Sequence, residues 1–195
     1  EVTTLRMVPL SLLFEAYPRM VRELARELGK EISLVVEGED TQVDRSVLDG
    51  LTEPLMHLVR NAVDHGLETR QEREQAGKIP KGVLVLRAVR ESDRLLLSIE
   101  DDGRGLVPKK LKEVAVARRV LSAAEAEQLG DEGARELIFK PGFSTKSTAT
   151  DLSGRGIGLD VVRVKLLAMG GEVPLASTPG EGCRFELRVP ISLTV

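Results

Sequence analysis

Positions 57 to 66 read His-Leu-Val-Arg-Asn-Ala-Val-Asp-His-Gly, and both histidines of the protein fall within them. The segment is strongly helical in character, and on a helix residues four apart stack on one face. Glu53, His57, Asn61 and His65 then form a polar stripe, beside an apolar stripe of Leu48, Leu51, Leu55, Leu58, Val59 and Ala62 that would face a core. An imidazole can hold or release a proton near neutral pH, so the polar side is equipped for chemistry. Taken alone, His57 is also what an ordinary helix surface carries, and Asp64 is an ordinary solvated charge.

Glycine clusters are the second chemical signal. Asp101-Asp102-Gly103-Arg104-Gly105 leaves a strand directly into a loop, and Gly154-Arg155-Gly156-Ile157-Gly158 leads directly into a helix. Alternate glycines let a backbone approach a ligand closely, and free N–H groups at a helix start favour a phosphate. Neither cluster is a P-loop, because GxxxxGK[ST] does not occur. The second is not a dinucleotide fingerprint either, since its spacing is GxGxG and no strand precedes it. Each cluster by itself is equally an ordinary turn.

These groups need elements to hold them. Pro18 in a first turn, apolar Met20, Val21, Leu24 and Leu28 at helical spacing and Gly29 as a stop predict a helix over 17–28. A strand follows at 32–38, and Asp44 can cap a long helix over 45–65 that ends at Gly66. The stretch 67–80 is a polar, charged excursion, and Glu68, Arg70 and the residues to Glu74 read as a solvated face. Two apolar runs joined by Glu91-Ser92-Asp93 predict a hairpin of central strands. Short helical patterns cover 108–119, 122–129 and 131–139, and a further helix spans 158–171. A second hairpin turns at Pro179-Gly180, and Pro174, lacking an N–H, places its strand at an edge or a bulge. Helices interleaved with strands and two hairpins predict an α/β sandwich with one mixed sheet covered on one face by helices.

Bulk properties narrow the function. The chain has 195 residues, 42% hydrophobic and 30% charged, enough for one good core. A net charge of −3 gives no general attraction to nucleic acid or anionic membrane, and no apolar run is long enough to insert in a bilayer. The single cysteine, Cys183, cannot form an internal disulfide, and two histidines make no zinc cluster, so a cytoplasmic location is expected. The chain starts at Glu1 without a signal-like segment, which suggests a piece of a longer protein.

Four elements occur in order: HxxxNxxDHG, DDGRG, a Gly-Phe-Ser-Thr loop at 142–145, and GRGIGLD. Together they resemble the GHKL superfamily of ATP-binding domains, in the form carried by chemotaxis histidine kinases of the CheA type. The likeness covers nearly the whole chain, from RMVPLSLLF to PGEGCRFELRVPISLTV. Departures are minor: Cys183 stands where a threonine is common, and Pro174 interrupts the strand after Gly171.

The resemblance implies a two-layer sandwich of the Bergerat type that binds ATP and Mg²⁺. It implies that Asn61 coordinates Mg²⁺ bridging the phosphates, with Asp64 and His65 close to them; an amide oxygen suits this hard ion, which takes few protein ligands. Asp101 would accept a hydrogen bond from the adenine amino group, with Gly103 and Gly105 letting the loop wrap the base. Gly154, Gly156, Gly158 and Leu159 would border the triphosphate, with Lys146 as a cation on a mobile ATP lid over 142–154. His57 would be the base, or the orienting group, for transfer of the γ-phosphoryl to a histidine on a separate phosphotransfer domain of the same or a partner chain.

The same resemblance implies a kinase domain over 11–190, with the end of a dimerisation segment at 1–10 and the start of a linker at 191–195. Dimerisation and receptor coupling would belong to other domains. One alternative is an ATPase of the gyrase, MutL or chaperone kind, whose members place a glutamate four residues before the asparagine, where this chain has His57. The other is a non-catalytic nucleotide-sensing module.

Overall fold

The computed structural model describes residues 6–143 and 158–193. Its sheet is assembled from β2 (Ile32–Glu37), β4 (Gly82–Glu91), β5 (Arg94–Asp101), β7 (Gly182–Pro190) and β6 (Leu175–Thr178), in that spatial order. β2 runs parallel to β4, and every other pairing is antiparallel, so the sheet is mixed. Alternation decides its two faces. Leu84, Leu86 and Ala88 of β4, Leu95, Leu97 and Ile99 of β5, and Leu187 and Val189 of β7 are buried. The intervening Arg87, Glu100 and Arg184 are exposed, and Arg87 pairs with Glu37 across the open face.

Helices cover the apolar face. α2 (Tyr17–Glu27) contributes Val21, and α3 (Arg45–Asn61) contributes Leu51, Leu55, Leu58 and Val59. α8 (Leu159–Ala168) adds Val162 and Leu166 to the same core. A Glu53–Lys165 ion pair ties α3 to α8. The Asp44 side chain caps α3 by accepting the Ser46 N–H at 2.9 Å, as the sequence suggests. α5 (Pro108–Ala117), α6 (Ala123–Gln128) and α7 (Asp131–Glu136), the last extended by a 3₁₀ turn at Leu137–Phe139, form the connection after β5. No helix among the described residues is long and apolar enough to cross a membrane.

A two-stranded ribbon of β1 (Met7–Pro9) and β3 (Gln42–Asp44) precedes α3, after the short α1 (Ser11–Phe14). The Arg45 N–H donates to the Arg6 carbonyl at 2.9 Å, and the Asp44 N–H to the Ile191 carbonyl at 2.8 Å. β6 is an edge strand that begins just after Pro174, which is where a residue without an N–H is tolerated.

Three expectations need correction. The helix over 45–65 is α-helical only to Asn61; Ala62–Gly66 is a π turn, closed by Leu67 N–H to Ala62 carbonyl at 2.8 Å. Gly66 is not in the left-handed region that a C-terminal glycine usually occupies. The excursion at 67–80 contains α4 (Arg70–Gln75), capped by reciprocal Thr69 and Glu72 hydrogen bonds. It is not a solvated face throughout, because Arg73 is only 2% exposed and Glu68 only 7%.

Candidate functional site

Asp101 ends β5, paired with Leu84 of β4 on one side and Cys183 of β7 on the other. It is 7% exposed, and its Oδ1 accepts the Gly103 N–H at 2.9 Å. Burial pushes its carboxyl up to about 6; backbone hydrogen bonds from Gly103 and Cys183 pull against this, and the charges of Asp102 and Glu68 add to it. A carboxylate held so close to its titration point, at the end of a strand, is a candidate for ligand contact.

The π turn is pressed against this carboxylate. A Cβ on Gly66 would lie 3.1 Å from Asp101 Oδ2, and one on Gly103 would lie 2.1 Å from the Gly66 carbonyl oxygen. The Arg104 N–H donates to that same Gly66 carbonyl at 2.9 Å. Glycine is therefore required at 103, and a Cβ at 66 would crowd the Asp101 carboxylate, where the end of α3 and the loop after β5 touch. Gly105 has φ of +66°, and a Cβ there would meet the Thr178 carbonyl oxygen at 2.3 Å. Leu106 N–H donates to Ser177 Oγ at 2.8 Å, so the Asp101–Gly105 loop is also fixed to the second hairpin. Gly103 and Gly105 thus each allow a close approach to the protein's own backbone.

The other end of the site lies along α3. His57 is half-buried, and burial, then the Arg60 charge, lowers its pKa from the usual imidazole value, with Asp160 opposing. Asp160 belongs to the first turn of α8, a helix packed against α3. Gly158, the N-cap residue of α8, has no side chain with which to cap the helix. Asn61 is one turn beyond His57 on the same helix, just before the π turn that carries Asp64 and His65. The His65 side chain is 51% exposed and lies 3.6 Å from the Asp64 carboxylate.

The end of α3 with its π turn, the loop after β5 that touches it, and α8 packed on α3 make one seam, and His57, Asn61, Asp64, His65, Asp101, Gly103, Gly105, Gly158 and Leu159 all belong to these elements. Lys146, Gly154, Gly156 and the lid over 142–154, apart from Gly142 and Phe143, lie outside the described residues.

Sequence reasoning missed several participants. Lys30 Nζ donates to the Val63 and Asp64 carbonyls, each at 2.7 Å, which are main-chain acceptors in the π turn. Burial lowers its pKa, with Asp64 opposing. Arg73 and Glu68, both buried, form a network with the partly exposed Lys78 and Asp102 at the Asp101 loop. Asp160 is the third omission. A readable trace existed only for the second group: Thr69-Arg-Gln-Glu72 is a capping-box sequence that marks a helix inside the charged stretch.

No group of three or more His, Cys, Asp or Glu side chains among the described residues is arranged to hold a metal ion. A cation in this seam would depend on few protein oxygens and on ligand oxygens. That suits Mg²⁺ held by one amide oxygen of Asn61 together with phosphates and waters.

Residues 48–193 match the family described as histidine kinase-, DNA gyrase B-, and HSP90-like ATPase. The chemotaxis protein CheA of Bacillus subtilis is 44% identical over 194 residues, which is 100% of this chain and 29% of that protein. The gliding motility regulatory protein of Myxococcus xanthus is 45% identical over 195 residues, 100% of this chain and 25% of that protein. The chain therefore spans between a quarter and a third of the length of these relatives. The catalytic domain of histidine kinase ThkA has the same fold, with a TM-score of 0.59 at 19% identity, covering 96% of both chains. The family match spans the α3 seam, the β5 loop and both hairpins, and with it the chain belongs to the histidine kinase-, DNA gyrase B- and HSP90-like ATPase family.

Proposed function

We propose that this chain is the MgATP-binding catalytic domain of a chemotaxis-type histidine kinase, which transfers the γ-phosphoryl of ATP to a histidine on a separate phosphotransfer domain. The observation that carries the reading is His57, half-buried one turn before Asn61, where the hydrolytic relatives place a water-activating glutamate. An imidazole whose pKa is lowered is neutral at physiological pH. Its free ring nitrogen can accept the N–H of an incoming imidazole. That fixes the partner's tautomer and leaves its other nitrogen unprotonated toward the γ-phosphorus. The N–P bond forms as the bond from phosphorus to the β,γ-bridging oxygen breaks, and ADP departs with the electron pair.

Asp101 supplies an acceptor for the adenine amino group, and its burial makes that interaction selective against a base with an oxo group there. Asn61 offers its amide oxygen to Mg²⁺, which when bound neutralises charge on the phosphates. Asp64 and His65 lie near the phosphates, and Gly158 and Leu159 present the α8 N-terminal amides to them.

The test is to mix the domain with γ-labelled ATP, Mg²⁺ and a separately expressed phosphotransfer domain. Acid-labile label on the partner is expected. Release of inorganic phosphate without labelled partner would establish the hydrolytic reading instead, and nucleotide binding without either reaction the sensing one.

A further inference from the structure

Around the peptide after Asp101, charged side chains converge on one turn of the main chain. Lys78 Nζ donates to the Gly103 carbonyl at 2.7 Å, the Asp102 carbonyl at 3.0 Å and Glu68 Oε2 at 2.7 Å. Arg73 donates to the Asp102 carbonyl at 3.2 Å, Asp102 Oδ2 at 2.9 Å and Glu68 Oε1 at 3.0 Å, and its Nε to the Ile79 carbonyl at 2.7 Å. Asp102 Oδ1 in turn accepts the Val83 N–H of β4 at 2.8 Å. Ion pairs of this kind carry a desolvation penalty that an apolar cluster would avoid, so mere stability is a poor reason for them.

Their geometry supplies another reason. In a trans peptide the carbonyl and the N–H point in opposite directions. The Asp102 carbonyl, held by two cations, and the Gly103 N–H belong to the same peptide. Drawing the carbonyl back toward Lys78 and Arg73 aims the N–H forward at Asp101 Oδ1, where it is found at 2.9 Å. The Gly103 N–H thereby engages Oδ1, while Oδ2 faces Gly66.

We propose that Lys78 and Arg73, neutralised by Glu68 and Asp102, are positioning residues for base recognition: they orient the Asp102–Gly103 peptide so that Asp101 presents one oxygen to the adenine amino group. The inference rests on the nucleotide reading of the site. Neither cation touches the nucleotide, and both act through Asp101.

The experiment compares ATP with purine riboside triphosphate, which keeps the sugar and phosphates but lacks the amino group. Lys78→Met is expected to weaken ATP about fivefold to thirtyfold, the middle of the range for coupled neighbours, and to leave purine riboside triphosphate unchanged. In an Asp101→Ala background the same substitution should cause no further loss of ATP affinity. Lys78→Arg, which keeps the charge, should recover part of the affinity and serves as the second variant if Lys78→Met does not fold. The Gly103 amide resonance should also lose its pH titration near 6 in Lys78→Met. Equal losses for the two nucleotides, or additive losses with Asp101→Ala, would overturn the positioning role. Failure of the unsubstituted protein to bind either nucleotide would instead remove the nucleotide reading itself.

Discussion

Replacing Asp101 by Asn tests the site through two opposed effects of one buried carboxylate. The substitution keeps shape and removes charge. Because the Gly103 N–H needs an acceptor, the new amide oxygen takes Oδ1's place and its NH₂ points where the adenine amino group would donate. A hydrogen bond to a charged group contributes about 1.5–3 kcal/mol, so ATP and ADP should both bind about tenfold to a hundredfold more weakly. Stability should move the other way. The carboxyl rises from an ordinary 3.8 to about 6 on folding, so ionising it in the folded protein is unfavourable by up to about 3 kcal/mol. Since the folded value is the higher one, the stabilising contribution is complete below 3.8 and disappears as pH rises through 6. Wild type and variant should thus melt alike near the acid end. By about pH 7.5 the variant should melt higher, by roughly 6–12 °C at most for a domain of this size. Thermal unfolding between pH 4.5 and 7.5, with calorimetric titration of ADP over the same range, reads both effects. Wild-type affinity should climb through pH 6 and then level off. A stability gap that does not change with pH would refute the buried carboxylate, and unchanged ADP affinity would refute its contact with the base.

His57→Ala should leave MgATP affinity near normal while transfer to the partner histidine falls about 10²–10⁴-fold; weakened binding with intact transfer at saturating ATP would contradict the role given to His57. Because burial lowers the His57 pKa, the acid limb of the wild-type transfer profile should lie below pH 6.5, and the variant should lack it. Gly103→Ala drives a Cβ into the Gly66 carbonyl, so a loss of about 2–4 kcal/mol in urea unfolding is expected, with loss of ATP binding. Gly130→Ala meets open space at an ordinary φ and loses only the N-cap preference of α7, about 1 kcal/mol or less; a similar loss for both variants would show that steric contact is not the cause.

Much of this architecture was legible because it rests on period and punctuation. The α2, α3 and α8 helices follow apolar spacing, the β4–β5 and β6–β7 hairpins follow their turn residues, and Asp44 caps where a capping aspartate belongs. The π turn was not legible, because Ala62–Gly66 has nothing in its own composition to distinguish it from α-helix. The Lys30 ammonium that holds two of its carbonyls comes from a remote part of the chain. Glu68, Arg73 and Lys78 were hidden for a different reason. Hydropathy assigns charged residues to solvent, and only mutual pairing makes their burial tolerable. Gly66 and Gly103 were legible as glycines near a site, but the surfaces they must clear, Asp101 and each other, are set by tertiary contact.

The two hydrogen bonds at the start of α3 have a topological consequence. Arg6 and Ile191 are bonded to adjacent residues, Arg45 and Asp44, so they lie within a few residue lengths of each other although nearly the whole fold separates them in sequence. Entry to and exit from the domain share one doorway. Such a unit can be spliced into a host loop without spreading the host apart, and its order can be rotated by bridging that doorway with a few flexible residues and opening the chain at the Ser92 turn. A rearranged chain of this kind would keep the α3 seam whole: the break at Ser92 lies between His57 and Asp101 in the chain, but at the opposite end of the β4–β5 hairpin from Asp101.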